Sequence, residues 1–144
     1  QHCCNMNIET IYNTIKSKGK RLTKVRKAII EILIQSPCLL STSDLLAKLK
    51  VRKIQPDRST MYRELTFLLQ NHIIHKNIIA HKDYFELPTD HHHHLVCTGC
   101  NAIRKVVMGS HLTKEEKQLE KDNEFIITNH SIEFYGLCRN CRKG

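Results

Sequence analysis

"DRSTMYRELTFLLQNHIIHKNIIAHKDYFEL", residues 57–87, decides the fold, because its hydrophobic period changes part-way along. Over 58–70, Met61, Leu65 and Leu68 recur at helical spacing on one side, while Ser59, Tyr62, Arg63 and Thr66 cluster on the other. Pro56-Asp57 breaks the chain ahead of this helix. After Asn71-His72, "IIHKNII" and "DYFEL" are β-branched and aromatic and predict a two-stranded hairpin, with "AHKD" between the strands. Hydroxyls, a tyrosine and an arginine on the outward helix face can hydrogen-bond phosphates and base edges, which a solvated face of Glu and Lys does less well.

Working outward, residues 23–35 place Val25, Ala28, Ile29, Ile32 and Leu33 on one stripe of a helix capped by Thr23. A weaker helix over 7–18 ends at Gly19, and "STSDLLAKLK" (41–50) is a short one with a Ser/Thr start. Helices followed by a hairpin outline a winged helix, whose last helix enters the major groove of DNA. Pro88-Thr89-Asp90 reads as a linker, which gives domains at 1–87 and 88–144. Beyond it, "HHHHLVC" and "AIRKVVM" predict strands, 112–123 a charged amphipathic helix, and 124–138 a long strand. The fold class expected is α+β.

Charge divides the same way. Residues 1–83 hold 15 Lys/Arg and 6 Asp/Glu, and residues 84–144 hold 8 of each, so the net charge of +9 is all N-terminal. That asymmetry points to a half that meets a polyanion, with a merely solvated basic surface as the alternative. No run of eighteen apolar residues occurs and no basic-then-apolar signal pattern opens the chain, so a cytoplasmic protein is expected. Seven cysteines, an odd number, fit a reducing compartment better than a disulfide scaffold. Cys38, in an apolar stretch, reads as a small buried side chain.

Cys97-x-x-Cys100 and Cys138-x-x-Cys141 can supply four thiolates to one tetrahedral ion if each pair ends a strand and the two strand ends meet. A redox dithiol is the competing account of either pair alone. Four histidines, His91 to His94, precede the first pair. Side chains alternate along a strand, so His92 and His94 face one way and His91 and His93 the other. One four-His site is geometrically poor, whereas two sites with a His-x-His pair each are natural; an exposed run with adventitious metal affinity is the bland alternative.

Taken in order, "RLTKVRKAIIEIL", "STMYRELTFL", "YFEL…HHHHLVCTGC" and "ITNHSIEFYGLCRNC" resemble the ferric uptake regulator family over roughly residues 19 to 141. The resemblance implies a metal-sensing transcriptional repressor that binds a palindromic double-stranded DNA operator as a homodimer, with an N-terminal winged helix and a C-terminal zinc-containing dimerisation domain. It implies DNA contacts from Tyr62 and Arg63, beside which the outward face places Ser59 and Thr66 as further candidates, and positions near the DNA backbone for Arg21, Thr23 and Arg26. It implies structural Zn2+ at Cys97, Cys100, Cys138 and Cys141, and a sensor site that includes Glu86, His92 and His94. A second site would take His91, His93 and His130, with His111, Glu115 or Glu116 as its fourth ligand.

Departures from the family pattern bear on the metal sensed. Leu39 stands where iron and peroxide sensors of the family bring a histidine, and Lys105 stands where they often use an acid. His75, at the start of the hairpin, matches a ligand position of zinc sensors. The set His75, Glu86, His92 and His94 is four-coordinate and suits zinc, with Fe2+ or Mn2+ as the alternative. An enzyme is not expected: the deaminase signature is absent, and catalytic zinc needs an open position beside a general base. A metal storage or delivery protein would need neither the basic half nor an outward Tyr62-Arg63 face.

Overall fold

The computed structural model describes residues 7–36, 38–88, 92–108, 112–128 and 130–144. The chain is α+β and divides into two compact units, Gln1–Asp90 and His91–Gly144, three residues beyond the boundary placed at Pro88 from the sequence.

The first unit comprises α1 (Ile8–Ser17), α2 (Lys24–Gln35), β1 (Leu40–Ser41), α3 (Thr42–Val51), α4 (Arg58–Gln70), β2 (His75–Ile79) and β3 (Lys82–Glu86). Local chemistry starts each helix. Thr23 Oγ1 accepts from Arg26 N at 3.1 Å, and Asp57 Oδ1 accepts from Thr60 N at 2.7 Å. Ser41 and Asp44 form a reciprocal capping box at the start of α3. Gly19 closes the turn after α1 at φ +67, a left-handed conformation that glycine adopts without steric cost.

The core is the inner face of these helices. Ile11, Ile15, Ile29, Leu45, Leu49 and Leu68 are all at most 1% exposed, and each contributes about 1.5–3 kcal/mol through burial. Ile30 is also fully buried, so α2 is covered over more than the single stripe its spacing predicts. The sheet runs β1-β3-β2, all antiparallel. The hairpin turns in two residues, Ala80 and His81, both at positive φ, so the loop is tighter than "AHKD". β1 was not foreseen.

The second unit is a sheet ordered β5-β4-β6, from β4 (His93–Cys97), β5 (Ile103–Val106) and β6 (Glu133–Gly136), with α5 (Thr113–Asn123) and a short 3-10 turn, Cys141–Lys143. β4 pairs antiparallel with β5 and parallel with β6. The long strand expected over 124–138 is corrected: among the described residues of that range, only Glu133–Gly136 is a strand. Glu124 leaves α5 in the left-handed region, and Phe125 and Ile126 are exposed at 65% and 82%. A strand needs a partner backbone, and β4 offers only five residues.

Candidate metal centres and nucleic-acid interface

The cysteine pairs meet as the spacing required. Cys97 ends β4 opposite Gly136, which ends β6, and Thr98 N donates to Gly136 O at 2.8 Å. The sulfurs of Cys97, Cys100, Cys138 and Cys141 lie within 4.8 Å of one another, with Cys100 and Cys138 at 3.9 Å. Tetrahedral zinc with bonds of about 2.3 Å would set sulfurs about 3.8 Å apart, so the donor set fits that ion. Gly99 leaves the space for this: a Cβ there would lie 2.9 Å from both Cβ and Sγ of Cys141.

Backbone amides prepare the thiolates. The N–H of Cys138 donates to Cys97 Sγ at 3.3 Å, and with further amides from Cys100 and Gly99 this brings the Cys97 thiol down to about 6. Cys138 is lowered chiefly by the backbone N–H of Cys141. Cys141 is pushed up to about 12 by hydrogen bonding to Cys138 first, then to Cys97 and Cys100. One cluster therefore holds a ready thiolate and a proton that a metal must displace.

The histidine strand shows the expected alternation. His92 and His94 meet edge to face, ring centroids 4.8 Å apart, while His93 stacks on His130 at 5.4 Å. His93 and His94 are 1% and 2% exposed. Glu116 of α5 pairs with His130 Nδ1, which brings His93, His130 and Glu116 together; Glu115, a neighbour on the same helix, is exposed. His91 and His111, the other residues expected at this second site, lie outside the described residues.

In the first unit, His75 and Glu86 are directly paired across β2 and β3. Asn77, itself buried, donates to Glu86 Oε1 at 3.4 Å. Burial pushes His75 below the ordinary imidazole value, Glu86 opposes this and His72 adds to it, so the neutral, metal-binding form is favoured. Lys105 lies directly opposite His94 on β5, which puts a cation on the same side of the sheet as that imidazole.

On α4, Tyr62 is 72% exposed and Arg63 is exposed beside it, with Thr66 half-buried on the same side. Ser59 is exposed, but its hydroxyl donates to the capping Asp57 at 3.1 Å. Arg21 is exposed, and so is Thr23, whose oxygen caps α2. Arg26, matched by the resemblance to a position near the DNA backbone, has its guanidinium engaged within the protein: it forks onto Glu64 at 2.7 and 3.2 Å, donates to the carbonyl of Arg21 at 2.7 Å, and lies 3.8 Å over the Phe67 ring. Glu64, only 9% exposed, was missed by sequence reasoning; its signal was an acid at i+3 from the inward Met61.

Residues 17–135 match the ferric uptake regulator family. The chain belongs to that family. A ferric uptake regulation protein of Bordetella parapertussis is 32% identical over 133 residues, covering 90% of this chain and 95% of that protein. One from Vibrio parahaemolyticus is 35% identical, covering 86% and 85%. Among solved structures, the Vibrio cholerae ferric uptake regulator superposes with a TM-score of 0.69 at 28% identity, covering 89% of this chain and 99% of that one. The Helicobacter pylori regulator has the same fold, with a TM-score of 0.75 at 20% identity over 95% and 92%. The protein is thus a metal-responsive transcriptional regulator and not an enzyme, and regulators of this family bind DNA as dimers. Among the described residues no helix is long and apolar enough to cross a membrane.

Proposed function

We propose that this regulator is a zinc-responsive repressor of metal-uptake genes, most like the zinc-sensing branch of its family. The observation that carries the metal preference is Lys105 opposite His94, a cation where a further carboxylate ligand would raise the coordination number. Four donors remain, His75, Glu86, His92 and His94, a set that zinc accepts readily as a tetrahedron and that six-coordinate iron or manganese does not. His75 and Glu86 belong to one unit and His92 and His94 to the other, so ligation by all four couples domain orientation to metal concentration. Bound zinc would supply the cross-link; Tyr62 and Arg63 then read DNA from an orientation those ligands hold. Coupling of this kind is commonly about 1–3 kcal/mol, or about 5–150-fold in operator affinity.

Cys97, Cys100, Cys138 and Cys141 hold structural zinc, a kind of site that contributes roughly 10–16 kcal/mol to small domains. His93, Glu116 and His130, with His91, form the second site. Exposed Leu95, Phe134, Phe125 and Ile126 in the second unit supply apolar surface for a second copy of the chain. Iron sensing is the second reading, and the names of the curated relatives favour it. Titrating operator binding against free Zn2+, Fe2+ and Mn2+ under reducing conditions separates the two. Half-maximal binding at far lower free Zn2+ than Fe2+ or Mn2+ is expected, and a response to Fe2+ alone would overturn the zinc assignment.

A further inference from the structure

We propose that Arg26 and Glu64 are positioning residues for DNA recognition, which set the presentation of the reading helix without touching DNA. The inference rests on DNA binding by Tyr62 and Arg63. Glu64 follows those two residues directly in the chain but points inward, 9% exposed, among Met61, Leu65 and Leu68. Its carboxylate receives both the Nε and one terminal nitrogen of Arg26, and the two side chains are each 11% exposed. The same guanidinium sits over Phe67, one turn further along α4. Its remaining arm donates to the carbonyl of Arg21, in the loop where exposed Arg21 and Thr23 stand.

One planar group thus grips α4 at two successive turns and the loop before α2 at a third point. Two anchors about one turn apart fix the rotation of α4 about its own axis, which decides where Tyr62 and Arg63 aim. The third anchor ties the backbone-facing loop to that helix, so both contact elements keep one spacing. A buried ion pair is weak evidence for stability, because desolvation offsets the attraction between the charges; its better-attested use is to select one geometry among close alternatives. Lysine cannot replace this arginine, since the fork and the stacked plane belong to guanidinium.

The test is Arg26→Met with Glu64→Leu in the full-length, metal-loaded protein, read by fluorescence anisotropy. The probes are a duplex that the wild-type chain selects from a random pool and a scrambled duplex of equal length. Expected are a Tm at or above wild type, roughly tenfold weaker binding of the selected duplex, unchanged affinity for the scrambled one, and an unchanged slope of log K against log salt. Each phosphate contact contributes about 0.9 to that slope, so loss of direct contacts from both protomers would flatten it by about 1.8. A flattened slope, equal losses on both duplexes, or no loss in a folded variant each overturns the proposal. Should the double variant fail to fold, Arg26→Lys, which keeps the charge, is read by the two affinities alone: weaker binding of the selected duplex with the scrambled one unchanged supports the proposal, and equal losses or no loss overturns it. If the wild-type protein selects no duplex, it is the DNA-binding assignment that fails.

Discussion

Replacing Gly99 by alanine tests the cysteine centre through a single methyl group. The new Cβ would stand 2.9 Å from both Cβ and Sγ of Cys141 and 3.4 Å from Leu137 Cδ2. Comfortable carbon contacts begin at about 3.5 Å, so Cys141 must retreat by roughly 0.6 Å or more. Metal–ligand distances tolerate only about 0.2 Å, and Cys141 is held in a turn whose backbone N–H, from Arg142, donates to Cys138 O at 3.0 Å. The sulfur could not yield without leaving an ion bound by the four cysteines. With one of four ligands compromised in a site of roughly 10–16 kcal/mol, zinc retention should weaken by about a hundredfold or more. A chelator competition at neutral pH under reducing conditions reads this directly. Gly136→Ala is the matched control, because nothing lies within 4 Å of its added Cβ, and it should hold zinc as the wild type does. Zinc retention by Gly99→Ala equal to that of Gly136→Ala would refute the assigned packing of the two knuckles.

If Arg63 contacts DNA as proposed, changing it to Ala should weaken DNA binding at every metal concentration by about tenfold, as measured by gel shift, with the fold kept because the side chain is exposed. Changing His92 and His94 together to Ala should abolish the metal dependence of operator binding while analytical ultracentrifugation still shows a dimer. Zinc affinity of the cysteine centre should rise with pH. Cys97 is thiolate above about pH 6 and Cys141 holds its proton to about 12, so binding at neutral pH releases at least that proton and gains about tenfold per pH unit for each one released, a slope that a competition series from pH 6.5 to 8 would check. Lys105→Glu places a carboxylate opposite His94 and should improve the response to Mn2+ relative to Zn2+; an unchanged metal ranking would remove Lys105 from the selectivity account.

What the sequence disclosed was set by how local each signal is. The helices α2, α3 and α4 and their caps were legible because Thr23, Ser41 and Asp57 each act on an amide three residues away. The convergence of the two cysteine pairs was legible as a requirement of tetrahedral geometry. β1 was not, because two residues become a strand only through pairing with β3, some 43 residues later in the register of Ser41 with Tyr84. The excess length given to β6 has the same origin: aromatic Phe125 and the β-branched residues over 126–128 carry propensity, but pairing decides whether they become a strand. Arg26 was placed near the DNA backbone only by its match to the family pattern, and its ion pair with Glu64 joins residues 38 positions apart, which no local signal announces. Its place was still visible on the wheel, since residue 26 stacks below Ile29 and Leu33, both buried, on the inner face of α2.

Strand β4 links the two kinds of metal chemistry. Its central position, hydrogen-bonded to β5 on one side and β6 on the other, fixes which histidine faces which way, and Cys97 is its last residue. His94 and Cys97 are three positions apart, a rise of about 10 Å, and the pairing that sets Cys97 against Gly136 also sets His94 against Glu133. A slip of one residue in that ladder would exchange the faces of His92 and His94 with that of His93. In the metal-loaded protein, a cysteine centre that closes the ends of β4 and β6 together therefore guards the register on which both histidine clusters depend. A structural ion placed there would do more than hold a small domain folded: it would keep the proposed sensing ligands aimed, so the Gly99→Ala lesion at the cysteine centre should also appear as a weakened metal response at the histidines.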